Sequence, residues 1–164
     1  MTTQENFNKA FAGESQANRK YLAYAEKADH EGYKQVAKLF RAAAAAETVH
    51  AMNHLQVMGN VGGTANNLKS AIMGENEEWK EMYPKFIEEA KKEKASDAAI
   101  LSFDIANKVE KIHASLYRKA LDNLGKNEDV EYYVCQICGN TVEKGAPDKC
   151  PICNAPKEMF RKVD

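Results

Sequence analysis

A chain of 164 residues and 18.3 kDa has room for one dominant core and a small appendage, not for two full domains. Its 23 Lys and Arg against 24 Asp and Glu leave a net charge of -1, mixed along the chain with no basic block, which argues against a nucleic-acid partner. The opening Met1-Thr2-Thr3-Gln4-Glu5-Asn6 is neither cationic nor apolar and no apolar run is long enough to span a bilayer, so no membrane role and a cytoplasmic location are expected.

Residues 3 to about 124 contain one proline, Pro84, and read as four helices rich in Ala, Glu, Lys, Leu and Met. Breaks are expected at Asp29-His30-Glu31-Gly32, at Gly59-Asn60-Val61-Gly62-Gly63 and near Lys94-Ala95-Ser96-Asp97, with Ser96 or Asp97 capping the last helix and Gly125 ending it. Traced at steps of three and four, the inner face of the first helix runs Phe7, Phe11, Glu14, Asn18, Tyr21, Ala25 and that of the second Phe40, Ala43, Glu47, His50, His54. The third runs Leu68, Ile72, Glu75, Glu78, Met82, Phe86, and the fourth Phe103, Asn107, Glu110, His113, Tyr117. Five glutamates therefore interrupt four apolar stripes. An ionised carboxylate in a core needs a cation or a proton to offset its lost hydration, and bound metal supplies the cation.

Position along the helices supports a metal site. Glu14 and Glu47 lie about equally far from the first turn, and Glu78 and Glu110 equally far from the turn near residue 94, so each antiparallel hairpin brings its glutamates to one level. Glu47-Thr48-Val49-His50 and Glu110-Lys111-Ile112-His113 repeat a Glu-x-x-His spacing, which places an oxygen and a nitrogen ligand on one helix face. One such match is weak; two at equal height, with Glu14, Glu75 and Glu78 added, are the donor set of a ferritin-like two-metal bundle. Carboxylate-rich, imidazole-poor sets suit iron or manganese better than zinc. His54 has no glutamate at its level and reads as a packed histidine, while His30 and Glu77 read as solvated.

After Glu128-Asp129 the pattern changes to Tyr132-Tyr133-Val134 and Gly/Pro-rich turns around Cys135-Gln136-Ile137-Cys138 and Cys150-Pro151-Ile152-Cys153. All four cysteines lie here and none in the first 134 residues, so they read as one tetrahedral metal site, iron or a structural zinc ribbon, rather than a disulfide framework. The expected organisation is mainly α, a four-helix bundle over residues 1–128 and a small β-rich metal module over 129–164.

Over nearly its full length the sequence resembles rubrerythrins. The resemblance rests on Ala12-Gly13-Glu14-Ser15-Gln16-Ala17, Ala46-Glu47-Thr48-Val49-His50-Ala51, Gly74-Glu75-Asn76-Glu77-Glu78-Trp79, Met82-Tyr83-Pro84, Glu110-Lys111-Ile112-His113 and the two cysteine knuckles. It implies a ferritin-like bundle holding two non-haem Fe, a rubredoxin-like module with one Fe bound by Cys135, Cys138, Cys150 and Cys153, and a peroxidase reducing hydrogen peroxide to water in oxidative-stress defence. It further implies Glu47 and Glu110 as bridging ligands, Glu14 as terminal ligand on one iron, Glu75 and His113 as terminal ligands on the other, and Glu78 and His50 as alternative ligands exchanged between oxidation states. Tyr21 and Tyr83 would hydrogen-bond the ligand carboxylates. With no nucleotide-binding loop in the chain, electrons are expected from rubredoxin or an NAD(P)H-dependent reductase. Iron storage and a purely structural zinc-ribbon protein are the competing classes; an attached one-electron centre has no use in the first.

The link between the second and third helices departs from a ferritin-like topology. Some five residues, Gly59 to Gly63, reach about 25 Å at most with their neighbours extended, whereas crossing the bundle takes about 40 Å. Either the third helix returns antiparallel within the chain or the hairpins are exchanged in a domain-swapped homodimer, the preferred expectation.

Overall fold

The computed structural model describes residues 2–163. Their contacts divide the chain at Gly62 and Gly63 into two compact units.

The first unit is a helical hairpin of α1 (Thr3–His30) and α2 (Lys34–Val57). A capping box starts α1: the Glu5 amide donates to the Thr2 hydroxyl and the Thr2 amide to the Glu5 carboxylate. Gly32 stops it at φ +86°, where the amides of Gly32 and Tyr33 return to the carbonyls of Asp29 and Ala28, a reversal that needs a left-handed residue. Ala37, Ala44 and Ala51 recur at heptad spacing along the buried seam of α2 and face Asn18, Ala25 and Ala28 of α1. Small side chains let the two axes approach closely. The Asn18 side chain sits buried in that seam, donating to the Ala44 carbonyl at 2.7 Å and the Thr48 hydroxyl at 2.9 Å.

The second unit holds the other hairpin. The expected third helix is composite: α3 (Thr64–Glu77), a π-helical turn (Glu78–Met82) and α4 (Tyr83–Lys92) run on without a break. Pro84 accounts for the wide turn, since it has no amide to give and its ring would crowd the carbonyl four residues back; the turn is closed by the Tyr83 amide donating to the Glu78 carbonyl instead. Lys94, at φ 55°, ends α4 in a left-handed conformation that glycine fills more cheaply. The last long helix, α5 (Asp97–Asp122), is capped by the Ser96 hydroxyl, which accepts from the Ala99 amide. Ile72, Ala90, Val109 and Ala114 are buried in this hairpin, and Tyr83, Phe86 and Phe103 pack with ring centroids 5.7 to 6.4 Å apart.

The C-terminal module is a three-stranded antiparallel sheet in the order β2-β1-β3, with β1 Tyr132–Cys135, β2 Thr141–Glu143 and β3 Phe160–Val163. It is seated on α5. Gly139, at φ +80°, presents its bare Cα to Val109, where a Cβ would meet the valine methyl at 3.8 Å, and Lys119 of α5 pairs with Glu143 of β2. The mainly α fold with a small β-rich module agrees with the sequence reading. No helix among the described residues is long and apolar enough to cross a membrane.

Candidate metal centres

Three groups of metal-ligating side chains converge. In the first hairpin, donor atoms of Glu14, Glu47 and His50 lie within 4.8 Å of one another. Glu47 and His50 share one face of α2 a turn apart, and the His50 Nδ1 stands 2.9 Å from a Glu47 oxygen. In the second hairpin the same holds for Glu75, Glu110 and His113, with His113 Nδ1 2.8 Å from Glu110 and 3.9 Å from Glu75.

The 2.8 and 2.9 Å contacts are hydrogen bonds, and the donor atoms of each group are close enough together to ligate a single ion. Burial and like charge act together on the carboxylates of the second hairpin. Burial, then the charge and hydrogen bond of Glu110 and the charge of Glu78, push the Glu75 carboxyl up to about 7. Glu78, at the head of the π-helical turn, is raised by burial and by Glu110 and Glu77, against a lowering pull from His113. It faces the Glu75, Glu110 and His113 cluster without joining it. The Tyr83 phenol is raised by burial and then by Glu110, Glu78 and Glu75, so it stays protonated beside them.

The two histidines differ in restraint. His113 is held at both nitrogens: Nδ1 faces the carboxylates and Nε2 lies 3.0 Å from the Thr141 hydroxyl, which itself donates to the Gly139 carbonyl. The tautomer with Nε2–H donating to the Thr141 hydroxyl, whose own proton goes to Gly139, is the one whose Nδ1 would be free to ligate a metal beside the carboxylates. His50, whose side chain is 55% exposed against 27% for His113, hydrogen-bonds only Glu47 among the described residues. Tyr21 packs against Tyr24 and Phe40 at 6.3 and 6.1 Å and makes no hydrogen bond to a carboxylate among the described residues. His54 lies edge-on to Phe7 at 5.6 Å, a packing role.

In the C-terminal module the thiols of Cys135, Cys138, Cys150 and Cys153 lie within 4.8 Å of one another. Cys135 and Cys153 are separated by 3.7 Å and Cys138 and Cys150 by 3.5 Å. Tetrahedral coordination at metal–sulfur bonds of about 2.3 Å requires about 3.8 Å, whereas a disulfide requires about 2 Å, so the four side chains are poised for a metal. Burial raises both Cys138 and Cys150, but backbone amides of Cys153 and Ile152 and the Cys138 thiol bring Cys150 down to about 7, making it readier to ionise than Cys138. Cys135 and Cys150 are buried, and the Asn140 amide reaches the Cys150 sulfur at 3.7 Å.

Sequence reasoning brought the ligating residues forward but gave no role to Thr141, Asn140 or Asn18. Asn18 was visible as a polar position on an inner stripe. Thr141 and Asn140 follow the first cysteine knuckle with nothing in their spacing to connect them to either centre.

Fold and donor sets together define a ferritin-like carboxylate protein with an added four-thiolate module. The family model described as Rubrerythrin matches residues 5–121, and the one described as Rubrerythrin, rubredoxin-like domain matches residues 133–161. Rubrerythrin-2 of Clostridium acetobutylicum is 35% identical over 97% of this chain and 95% of its own length. Nigerythrin of Nitratidesulfovibrio vulgaris is 36% identical over 97% and 85%. The solved structure of nigerythrin in its fully reduced, all-ferrous state matches with a TM-score of 0.61 at 33% identity, covering 99% of this chain and 87% of that one. The chain belongs to the rubrerythrin family. Its cofactors are accordingly a two-iron carboxylate and histidine site and a four-cysteine rubredoxin-like site.

Proposed function

We propose that this protein reduces hydrogen peroxide to water, taking two electrons and two protons per peroxide, with residues 1–128 as the reacting bundle and 129–164 as the electron entry point. The observation that carries the reading is the coexistence of two glutamate and histidine clusters, each able to hold a metal ion, with a four-thiolate cluster seated on the same helix, α5, that bears one of them. A storage protein has no use for the thiolate cluster, and a structural zinc ribbon has no use for the clustered, half-buried glutamates. When bound, the two irons supply the electron pair that cleaves the O–O bond, and the thiolate-bound iron renews it one electron at a time.

The side chains have distinct tasks in this reading. Glu47 and Glu110 would be shared by the two irons, Glu14 would serve one of them and Glu75 with His113 the other. His113, fixed by Thr141, would be a stationary ligand, whereas His50, with one hydrogen bond and an exposed ring, and Glu78, which stands just outside its cluster, would be the alternative ligands. Tyr83 remains a protonated donor toward Glu110, Glu78 and Glu75. Tyr21 would serve the other cluster from α1. The external electron donor is a rubredoxin or an NAD(P)H-dependent reductase.

A homodimer with exchanged hairpins is part of the proposal. Only Met58 to Gly63 connect α2 to α3, about 20 Å when extended, against about 36 Å for the length of the 24-residue α2. Leu22, Val36 and Met52 also stay 40%, 45% and 57% exposed on the first hairpin, apolar surface that a second chain would cover. Glu14, Glu47 and His50 of one chain would then join Glu75, Glu78, Glu110 and His113 of another.

The test is stopped-flow mixing of the reduced, iron-loaded protein with hydrogen peroxide, alongside iron analysis during dilution. Reoxidation of both centres and water as product are expected, with about three irons per chain of which the two bundle irons are lost in step with dimer dissociation. An iron-loaded protein inert to peroxide refutes the activity; a dilute monomer that keeps its bundle irons refutes the exchange.

A further inference from the structure

Among the described residues Asn140 is one of two buried polar side chains, and at 1% exposed it is the more enclosed. Its backbone is occupied in the ordinary way, the carbonyl accepting from the Cys135 amide at 2.9 Å. The side chain is less easily explained. Its Nδ2 reaches the Cys150 sulfur at 3.7 Å, within N–H···S range, while its Oδ1 is buried with no hydrogen-bond partner. An orphaned buried amide oxygen is costly, and an apolar residue of the same size would avoid the loss. With Cys150 ionised, as a metal ligand must be, the opposite orientation of the amide would aim its oxygen at a negative sulfur, so the orientation with Nδ2 toward Cys150 is the favourable one.

We infer that Asn140 is a potential-setting residue for the four-cysteine iron, its side-chain amide donating to the Cys150 thiolate and favouring the reduced centre over the oxidised one. The inference rests on the rubredoxin-like reading of that module. Four thiolates around ferric iron carry a net charge of -1, and around ferrous iron -2. A donor aimed at sulfur stabilises the state with more negative charge, so it raises the reduction potential. Burial of Cys150 and Asn140 keeps water from competing for the sulfur, and low local dielectric strengthens the contact. The consequence is functional: a centre that holds its electron more tightly accepts it more readily from the external donor and drives it inward less strongly. The Asn140 side chain touches no reacting atom and acts through Cys150, while the backbone amide of the same residue donates to Cys138, a contact that a side-chain substitution keeps.

The experiment is a redox titration of the full-length, iron-loaded protein and its Asn140→Leu variant, following the ferric-thiolate absorption. Loss of the donor is expected to shift the one-electron equilibrium at least tenfold toward the oxidised centre, a fall of about 59 mV. The charge-transfer band should move to lower energy, because the sulfur becomes a better electron donor. An unchanged potential and band, with the four-cysteine iron still bound, overturns the inference. Should Asn140→Leu not retain iron, the wild-type protein decides it: with cadmium-113 on the cysteines and nitrogen-15 labelling, an Asn140 side-chain amide proton should show scalar coupling to the metal through the sulfur. Absence of that coupling overturns the proposal. Colourless protein that takes up zinc and refuses iron would instead refute the rubredoxin-like reading itself.

Discussion

Replacing Glu75 by glutamine separates the stability of the metal-free bundle from its capacity for metal. Glu75 is pushed from an ordinary 4.5 to about 7 by burial and by Glu110 and Glu78. A folded value above the unfolded one means the folded state binds the proton more tightly. The stabilising contribution is therefore complete below pH 4.5 and is lost as the pH rises through about 7. The difference, 7 less 4.5, sets a ceiling of about 3.4 kcal/mol, and a side chain that keeps 19% exposure beside solvated carboxylates retains about 1 to 2 kcal/mol of it after screening. Glutamine carries no charge at any of these pH values. Metal-free Glu75→Gln should thus melt about 2 to 8 °C above metal-free wild type at pH 8, and together with it below pH 4.5. Iron loading should reverse the order at pH 8, because the amide offers a poorer ligand. Thermal unfolding monitored by helix dichroism, with and without iron, reads all three comparisons. A metal-free variant that melts at or below wild type at pH 8 refutes the claim that uncompensated carboxylate charge strains this hairpin.

Cys153→Ser should remove the ferric-thiolate absorption and about one iron per chain, while a pre-reduced sample still undergoes a single peroxide-driven reoxidation of the bundle; metal analysis and stopped-flow absorption check both. Thr141→Val takes from His113 the acceptor of its Nε2 proton and should weaken bundle iron about ten- to a hundredfold in chelator competition, with Thr141→Ser restoring it. Lys94→Gly relieves a left-handed lysine at an exposed helix end and should stabilise the protein by about 1 kcal/mol in urea unfolding.

The ligating residues were legible because metal coordination imposes a rule on local spacing. Glu-x-x-His and Cys-x-x-Cys each bring two donors together within one turn or one knuckle, so a repeat of either shows in the sequence before any fold is known. The breaks at Gly32 and Gly59 were legible for a related reason, since left-handed helix stops favour a residue without Cβ. Lys94 breaks that rule, and only the neighbouring Ser96 cap marked the turn. The π-helical turn at Glu78–Met82 left a trace in Pro84, but a proline reports that a helix must adjust and not how.

What stayed hidden is long-range and specific. Thr141 meets His113 across 28 positions, and Asn140 meets Cys150 through a knuckle folded back on itself. No periodicity relates such pairs, because the first exists only once the module is seated against α5 and the second only once the two knuckles fold together. The seating itself turns on Gly139, where positive φ and the close approach to Val109 meet in one residue. Val109 and His113 stand four residues apart on the same face of α5, and Gly139 and Thr141 two apart on the segment above it. The contact that docks the thiolate module therefore also orients a carboxylate-site histidine. Helix, knuckle and ligand are fixed by one interface, so a substitution that loosens the module should disturb the bundle metal even though every bundle ligand is intact.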